Sequence, residues 1–365
     1  MDTATKTATE ITGVLTDMNR MGHEQVVFCQ DEATGLKSII GIHNTVLGPA
    51  LGGTRMWHYN SEAEALEDVL RLSRGMTFKS AIAGLNLGGG KAVIIGDSRK
   101  QKSEALLRRF GKFVESLGGK YITAEDVGMG TRDMEYIHME TTHVTGLPEY
   151  MGGSGDPSPV TAYGVYMGIK ATAKYLWGSD SLKGKKIAVQ GTGHVGQYLI
   201  GHLVKEEAQV MVADIFEDRL KECIEQYPVE VVDANNIYDL EMDIYAPCAL
   251  GGTLNDNTIP RLKCAIVAGG ANNQLKNELV HGRQLIERNI VYAPDFLINS
   301  GGIINVYGEL SGYDRKTAMQ KAEFIYEVTR EVLNSASIQG ITSQEAAMQF
   351  AQNRINAIAK INQTR

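Results

Sequence analysis

The chain has 365 residues, 43% of them hydrophobic and 22% charged, with a formal net charge of −7. That length exceeds what one hydrophobic core usually supports, so two domains are expected. The acidic balance argues against nucleic acid or an anionic membrane surface as a partner, and no run approaches the roughly 20 apolar residues of a membrane span.

Cys29, Cys223, Cys248 and Cys264 are scattered without a C-x-x-C pair, and the N-terminal "MDTATKTATEITG" has no apolar stretch of the signal-peptide kind. Reduced thiols in a cytoplasmic protein are expected. In chain order, "EQVVFCQD", "LKSIIGIHN", "KAVIIGD" and "KYITAED" read as strands, with a helix from Ser61 between the second and third. Ser61 and Glu64 have capping-box spacing, and apolar Leu66, Val69, Leu70 and Leu72 follow. This is an α/β pattern. "GGSGDPSP" at 152–159 interrupts it as a linker candidate, and a second α/β series follows: "KKIAVQG", "QVMVADI", "VEVV", "DIYAPCALG", "CAIVAGGANN" and "IVYAPDFLINSGG". A mostly parallel sheet is expected there, with helix from about Gly312 to the end.

"GLNLGGGKAVIIGD" at 84–97 sets three glycines before a lysine. A P-loop would place G-x-x-x-x-G-K-[ST] after a strand and before a helix, whereas here the glycines precede the strand and Ala92 follows Lys91. Two readings stay open. The glycines could form a turn that lets a ligand lie close to backbone, with Lys91 at the mouth of a pocket, or a flexible turn carrying a solvated charge.

"KKIAVQGTGHVG" places Gly191, Gly193 and Gly196 in G-x-G-x-x-G register, with His194 and Val195 inside it, after a strand and at the opening of a helix. Asp214 ends the next strand 18 residues beyond Gly196. In a dinucleotide fold the first glycine permits the tight turn, the second lets the pyrophosphate approach, the third lets the helix pack closely, and the acid accepts hydrogen bonds from the adenosine ribose. A carboxylate repels a 2′-phosphate, and Ile215 and Phe216 offer no cation, so NAD is expected rather than NADP. Pro247, Asn272, Asn273 and Asn299 follow later strands, where they line a ligand crevice or simply make turns.

Lys79, Lys91 and Asp126 stand at element ends in the first half. Two lysines twelve positions apart suit a carboxylate-bearing substrate, one staying charged to bind it and the other losing its proton under burial and like charge. The plain alternative is a pair of solvated lysines. "HMETTH" at 138–143 is not H-E-x-x-H, since its histidines would diverge by about 140° on a helix, and no metal site is expected.

"GPALGGTRMW", "RGMTFKSAIAGLNLGGGKAVIIGD", "YITAEDVG", "GDPSPVTAYGVY", "APCALGG" and "INSGGIINV", in this order, resemble the glutamate, leucine, phenylalanine and valine dehydrogenase superfamily from about Met21 to Tyr313. The resemblance implies two α/β domains around a cleft. Residues 1–147 would form a substrate and oligomerisation domain and 148–334 a Rossmann-type NAD domain, with the helical segment 335–365 packing back on the first. It implies reversible, NAD-dependent oxidative deamination of L-leucine and other branched-chain amino acids by a homo-oligomer, expected to be an octamer. Lys91 would be the acid/base, acting through a water, and Asp126 would bind the amino group and relay protons. Lys79, with the Gly52 and Gly53 backbone, would hold the α-carboxylate. Thr161 and Asn273 would lie near the nicotinamide, with Asn299 a further cofactor-binding candidate in the crevice. Leu51, Met76, Ala124, Ile303 and Val306 would form an apolar side-chain pocket, where glutamate-using relatives place a lysine at the position of Leu51. His194 and Asp156 depart from the asparagine often found there, and the first 20 or so residues look longer than usual. Phenylalanine or valine as the main substrate, or a non-catalytic NAD-binding regulator, are the alternatives.

Overall fold

The computed structural model describes residues 13–363, so most of the expected N-terminal extension lies outside the described residues. The chain divides into two compact units, one comprising residues up to 77 together with 87–144, the other 78–86 together with 145–365.

The first unit opens with α1 (Val14–Met21) and the antiparallel hairpin β1 (Gln25–Asp31) and β2 (Leu36–Asn44), whose turn is set by Asp31 accepting from Thr34 N and Oγ1 at 3.0 and 2.7 Å. β3 (Ala50–Leu51) and β4 (Thr54–Trp57) form one run broken at Gly52 and Gly53. α2 (Glu62–Ile82) then leads to β5 (Gly88–Ile95), α3 (Glu104–Glu115), β6 (Tyr121–Ile122) and α4 (Thr131–His138). The mixed sheet runs β1-β2-β5-β3-β6, with β4 also paired to β5. α2 covers one face, setting Leu66, Val69 and Leu70 against Ile39 and Val93. The start of α2 is capped nearly as expected: Ser61 Oγ accepts from Glu64 N at 3.1 Å, while Glu64 reaches one residue further back, to Asn60 N at 2.8 Å.

The glycine stretch is not a turn. Gly88, Gly89 and Gly90 are themselves strand residues of β5, paired across to β2 with Lys91 opposite Gly41. Nor is the space they leave kept for a ligand. A Cβ on Gly88 would collide with the Asn44 carbonyl, one on Gly89 with the Thr77 amide of α2, and one on Gly90 would come within 2.6 Å of the Tyr121 ring. The missing side chains let neighbouring backbone and one aromatic ring close on the strand.

After residue 145 the first α-helix is α5 (Ser158–Trp177), so the expected linker is loop through Pro157 and helix only at Ser158 and Pro159, with Asp156 Oδ1 accepting from Ser158 N at 2.9 Å. β7 (Lys186–Gln190), α6 (His194–Lys205), β8 (Gln209–Ala213), α7 (Glu217–Gln226), β9 (Glu230–Val231), β10 (Ile244–Pro247), β11 (Ile266–Val267), α8 (Glu278–Glu287) and β12 (Val291–Tyr292) follow. The sheet order β12-β11-β10-β7-β8-β9 is parallel throughout, and counted from β7 it reads 3-2-1-4-5-6, the doubly wound dinucleotide order. Several apolar runs contribute only two strand residues. "IVYAPDFLINSGG" leaves the sheet at Pro294, which has no N–H to donate, and turns into α9 (Asp295–Ile298).

α10 (Gly301–Glu309) and α11 (Arg315–Gln339), the latter capped by Asp314 on Thr317 N at 2.8 Å, precede α12 (Ser343–Gln363). Arg354 of α12 donates to the carbonyls of Leu85, Ala81 and Gly84 at 2.6, 3.3 and 3.2 Å, which ties the C-terminal helix to residues grouped with the second unit. All four cysteines are free. Among the described residues no helix is long and apolar enough to cross a membrane.

Candidate active site

In the first unit the structure brings Lys91 and Asp126 into direct contact. Lys91 sits mid-strand in β5, its side chain 8% exposed, and its ammonium forms an ion pair with Asp126 Oδ2. Asp126 lies just past β6 on a segment that runs alongside β4: Ala124 O accepts from Thr54 N at 2.8 Å and Val127 O from Met56 N at 2.9 Å. The sheet thus sets the backbone on both sides of the carboxylate. Burial lowers the Lys91 ammonium below its ordinary range, Arg55 adds to the lowering, and Asp126 offsets it only in part. Burial alone would raise the Asp126 carboxyl, yet the charges of Lys91 and Arg55 hold it low. Such a pair can exchange a proton with a nearby substrate without first moving a charge out of water.

Gly52 and Gly53 border this pair. Gly52 N–H donates to Ile122 O at 3.1 Å and its carbonyl accepts from Tyr121 OH at 2.6 Å, so both its polar groups are occupied within the sheet. Gly53 O accepts from Ala92 N at 3.3 Å. Leu51 and Ala124 are buried, and Met76 on α2 is half-buried. Arg55, inside the "GGTRMW" stretch, drew no role from the sequence; its Nε is 3.4 Å from Asp126 Oδ2. Only the bridging of β4 to the segment after β6 reveals that.

The dinucleotide half belongs to the second unit. Gly191 has φ +104°, a conformation side chains rarely adopt, and a Cβ on Gly196 would collide with the Gly191 carbonyl. A Cβ on Gly193 would meet nothing closer than Arg219 Nη1 at 3.8 Å, so the middle glycine faces open space at the N-terminus of the twelve-residue α6. This is a cradle that a Cβ would fill and a pyrophosphate fits. His194 is exposed as the first residue of α6, and Val195 is half-buried. Asp214 is held in place by Thr192 N and Oγ1 at 2.7 and 3.1 Å and by Phe216 N at 3.0 Å. Burial would raise its carboxyl, but these donors keep it below the ordinary range. The buried Thr192, within the fingerprint, was missed as the residue that aims Asp214. Ile215 and Phe216 offer no cation, as the sequence reads, but Arg219, one helical turn on, lies over the Phe216 ring at 4.6 Å and beside Gly193.

At the carboxyl ends of the later strands, Asn299 Nδ2 donates to Asn272 Oδ1 at 2.8 Å and to Gly270 O at 3.2 Å, and Lys79 Nζ donates to the same Asn272 oxygen at 3.3 Å. Asn273 adopts φ +52°, and Pro247 O accepts from Ala271 N at 2.9 Å. Thr161 Oγ1 donates to Pro157 O at 2.9 Å, with Gly302 of α10 close against it. Ile303 is buried and Val306 half-buried, three apart on one side of α10. The loop at 146–154 is clamped by Glu309, which accepts from Gly146 N and Ser154 N, both at 3.0 Å.

Residues 23–143 match the model of the Glu/Leu/Phe/Val dehydrogenase dimerisation domain, and residues 152–216 and 212–364 match that of the Glutamate/Leucine/Phenylalanine/Valine dehydrogenase. The chain belongs to this dehydrogenase family. Among its family relatives, leucine dehydrogenase of Thermoactinomyces intermedius is 56% identical over 95% of this chain and 94% of its own, and phenylalanine dehydrogenase of Caldalkalibacillus thermarum is 48% identical over 93% of each. The crystal structure of L-tryptophan dehydrogenase from Nostoc punctiforme aligns with a TM-score of 0.85 at 44% identity, covering 95% of this chain and 99% of that one. Within the family architecture, the Lys91–Asp126 pair therefore falls in the dimerisation domain and the glycine cradle in the dehydrogenase domain.

Proposed function

We propose that the protein catalyses the reversible oxidative deamination of L-leucine and other branched-chain aliphatic L-amino acids to 2-oxoacids and ammonia. The observation that carries this is the buried Lys91 ammonium, lowered in pKa and paired with Asp126. NAD, when bound, supplies the acceptor for the hydride that leaves the substrate Cα. Gly191, Gly193 and Gly196, with His194 and Val195, would hold its pyrophosphate at α6, Asp214 its adenosine ribose, and Thr161 and Asn273 its nicotinamide end, with Asn299 lining the crevice.

Lys79 holds the α-carboxylate as a point charge, and the Gly53 backbone, rather than the fully occupied Gly52, assists it. Asp126 accepts from the substrate amine and keeps it oriented. Lys91 Nζ, as the free amine, takes the proton released when water adds to the imine carbon, and it returns a proton as the ammonia departs. Leu51, Met76, Ala124, Ile303 and Val306 give the substrate side chain an apolar surround. A γ-carboxylate there would be buried without a partner, at a cost of several kcal/mol. Self-association through the first domain, to an octamer, and a cytoplasmic location complete the reading.

The test is leucine-dependent growth of NADH absorbance, repeated with isoleucine, valine, phenylalanine and glutamate and with NADP in place of NAD. One methylene in an apolar pocket is worth about 1–3 kcal/mol, so the three branched substrates should lie within roughly two orders of magnitude in kcat/KM. Preference for glutamate would overturn the substrate assignment. Bound NAD without leucine-dependent reduction would favour a regulator.

A further inference from the structure

Asp126 does not face Lys91 alone. Its Oδ2 also lies 3.4 Å from Arg55 Nε, and Arg55 is itself held: Nη1 donates to Asp68 Oδ2 at 3.0 Å. The same Asp68 oxygen accepts from Tyr59 OH at 2.7 Å, and Arg71 Nη2 braces Oδ1 at 3.0 Å. The chain of contacts therefore runs Lys91, Asp126, Arg55, Asp68, from β5 across the loop after β6 and β4 to α2. Tyr121, buried beneath, donates to Gly52 O and stays protonated. Beyond Asp68 the network opens on a cavity of about 460 Å³ lined also by Trp57, Glu64 and Glu67.

This arrangement answers a difficulty in the proposed chemistry, on which the inference rests. When Lys91 gives up its proton, Asp126 loses its nearest cation while still largely buried, and a buried lone carboxylate tends to protonate or turn away. A guanidinium keeps its charge throughout, and its fork can hold two carboxylates at once. We propose that Arg55, clamped by Asp68, is the positioning residue that keeps Asp126 ionised and in place while Lys91 exchanges its proton.

The inference predicts two shifts of opposite sign in the acid limb of kcat/KM for leucine deamination, the limb set by loss of the Lys91 proton. Arg55→Met removes a cation from beside the pair, so the limb should move to higher pH by about half a unit or more. Asp68→Asn keeps an acceptor for Arg55 but removes the opposing charge, so the limb should move to lower pH. Arg55→Lys should stay nearer the wild type than Arg55→Met. A purely structural role would lower activity in each variant and leave the limb where it is. Limbs that do not move, or that move the same way, overturn the inference, and Asp68→Asn alone decides it should Arg55→Met fail to fold. A wild-type protein without leucine-dependent activity, or a fully active Lys91→Ala, would instead remove the underlying functional reading.

Discussion

Two glycine-rich stretches, 88–90 and 191–196, look alike in sequence and do different work. In β5 every one of the three glycines is closed upon by the protein itself, by the Asn44 carbonyl, the Thr77 amide and the Tyr121 ring. At the β7–α6 turn, Gly191 is likewise closed upon by Ala249 and Gly196 by the Gly191 carbonyl, but Gly193 is left open. The difference teaches that a glycine run marks close approach without saying what approaches. Only the surrounding topology separates a packing glycine from a binding one.

The largest effect should come at the residue that ends the first stretch. Lys91→Ala should lower turnover by about 10²–10⁴-fold, the usual worth of a general acid–base, while NADH binding is retained. Lys79→Ala should instead raise KM for the amino acid most strongly. Near-normal turnover in Lys91→Ala would make β5 a packing strand from end to end and break the contrast from one side.

The glycines should respond in opposite ways. Gly89→Ala drives a methyl into the α2 backbone, which cannot yield as a flexible side chain can, and should cost about 3 kcal/mol or more of stability. Gly193→Ala should barely move the melting temperature and should weaken NADH binding. Measuring both variants by thermal unfolding and by cofactor titration checks the comparison directly; a Gly89→Ala protein as stable as the parent would refute the packing role.

How much was legible follows the same division. The dinucleotide half could be read because its parts are local: glycine turn, helix and acid fall within about 25 positions, in a fixed βαβ order. Even there, Arg219 escaped notice because one helical turn carried it back to the glycines. In the first half, Lys91 and Asp126 are 35 positions apart and Arg55 comes from a third strand, so the cluster exists only through sheet pairing. Family resemblance supplied Lys91 and Asp126; neither it nor local pattern supplied Arg55. The glycines of β5 were read as a turn because packing demands on a strand leave no local trace.

Cofactor choice sharpens the contrast at the open glycine. Asp214→Ala removes a charged acceptor, and a hydrogen bond to such a group is worth about 1.5–3 kcal/mol, so NAD affinity should fall roughly 10- to 100-fold. NADP should be penalised less, because Arg219 then stands near Gly193 without a competing carboxylate. Adding Arg219→Ala should erase that relative gain. Equal affinities for both cofactors before and after the Asp214 change would sink the ribose assignment.

The smallest effect concerns pH and the packing of β5. Gly89 is closed upon by Thr77, whose Oγ1 lies 2.8 Å from His43 Nδ1, and His23 Nε2 makes the matching contact to Ser73 Oγ at 2.8 Å. Burial lowers both imidazoles from 6.5 to about 4, and Arg74 and the other ring add to this at His43. Between those values the unfolded chain binds protons that the folded chain does not, so the stability these histidines contribute is complete above pH 6.5, shrinks as the pH drops, and is gone below about 4. For the buried His43 alone the loss by pH 5.5 should be about 1 kcal/mol. Hydrogen exchange should locate it: amides of β5 should lose protection on acidification before those of β7, whose neighbouring glycine turn contains no such histidine contact. A His43→Gln protein should keep more of its stability between pH 6.5 and 5.5 than the parent does. An identical acid slope in the two proteins would show that the histidines do not govern how tightly α2 closes on the glycine strand.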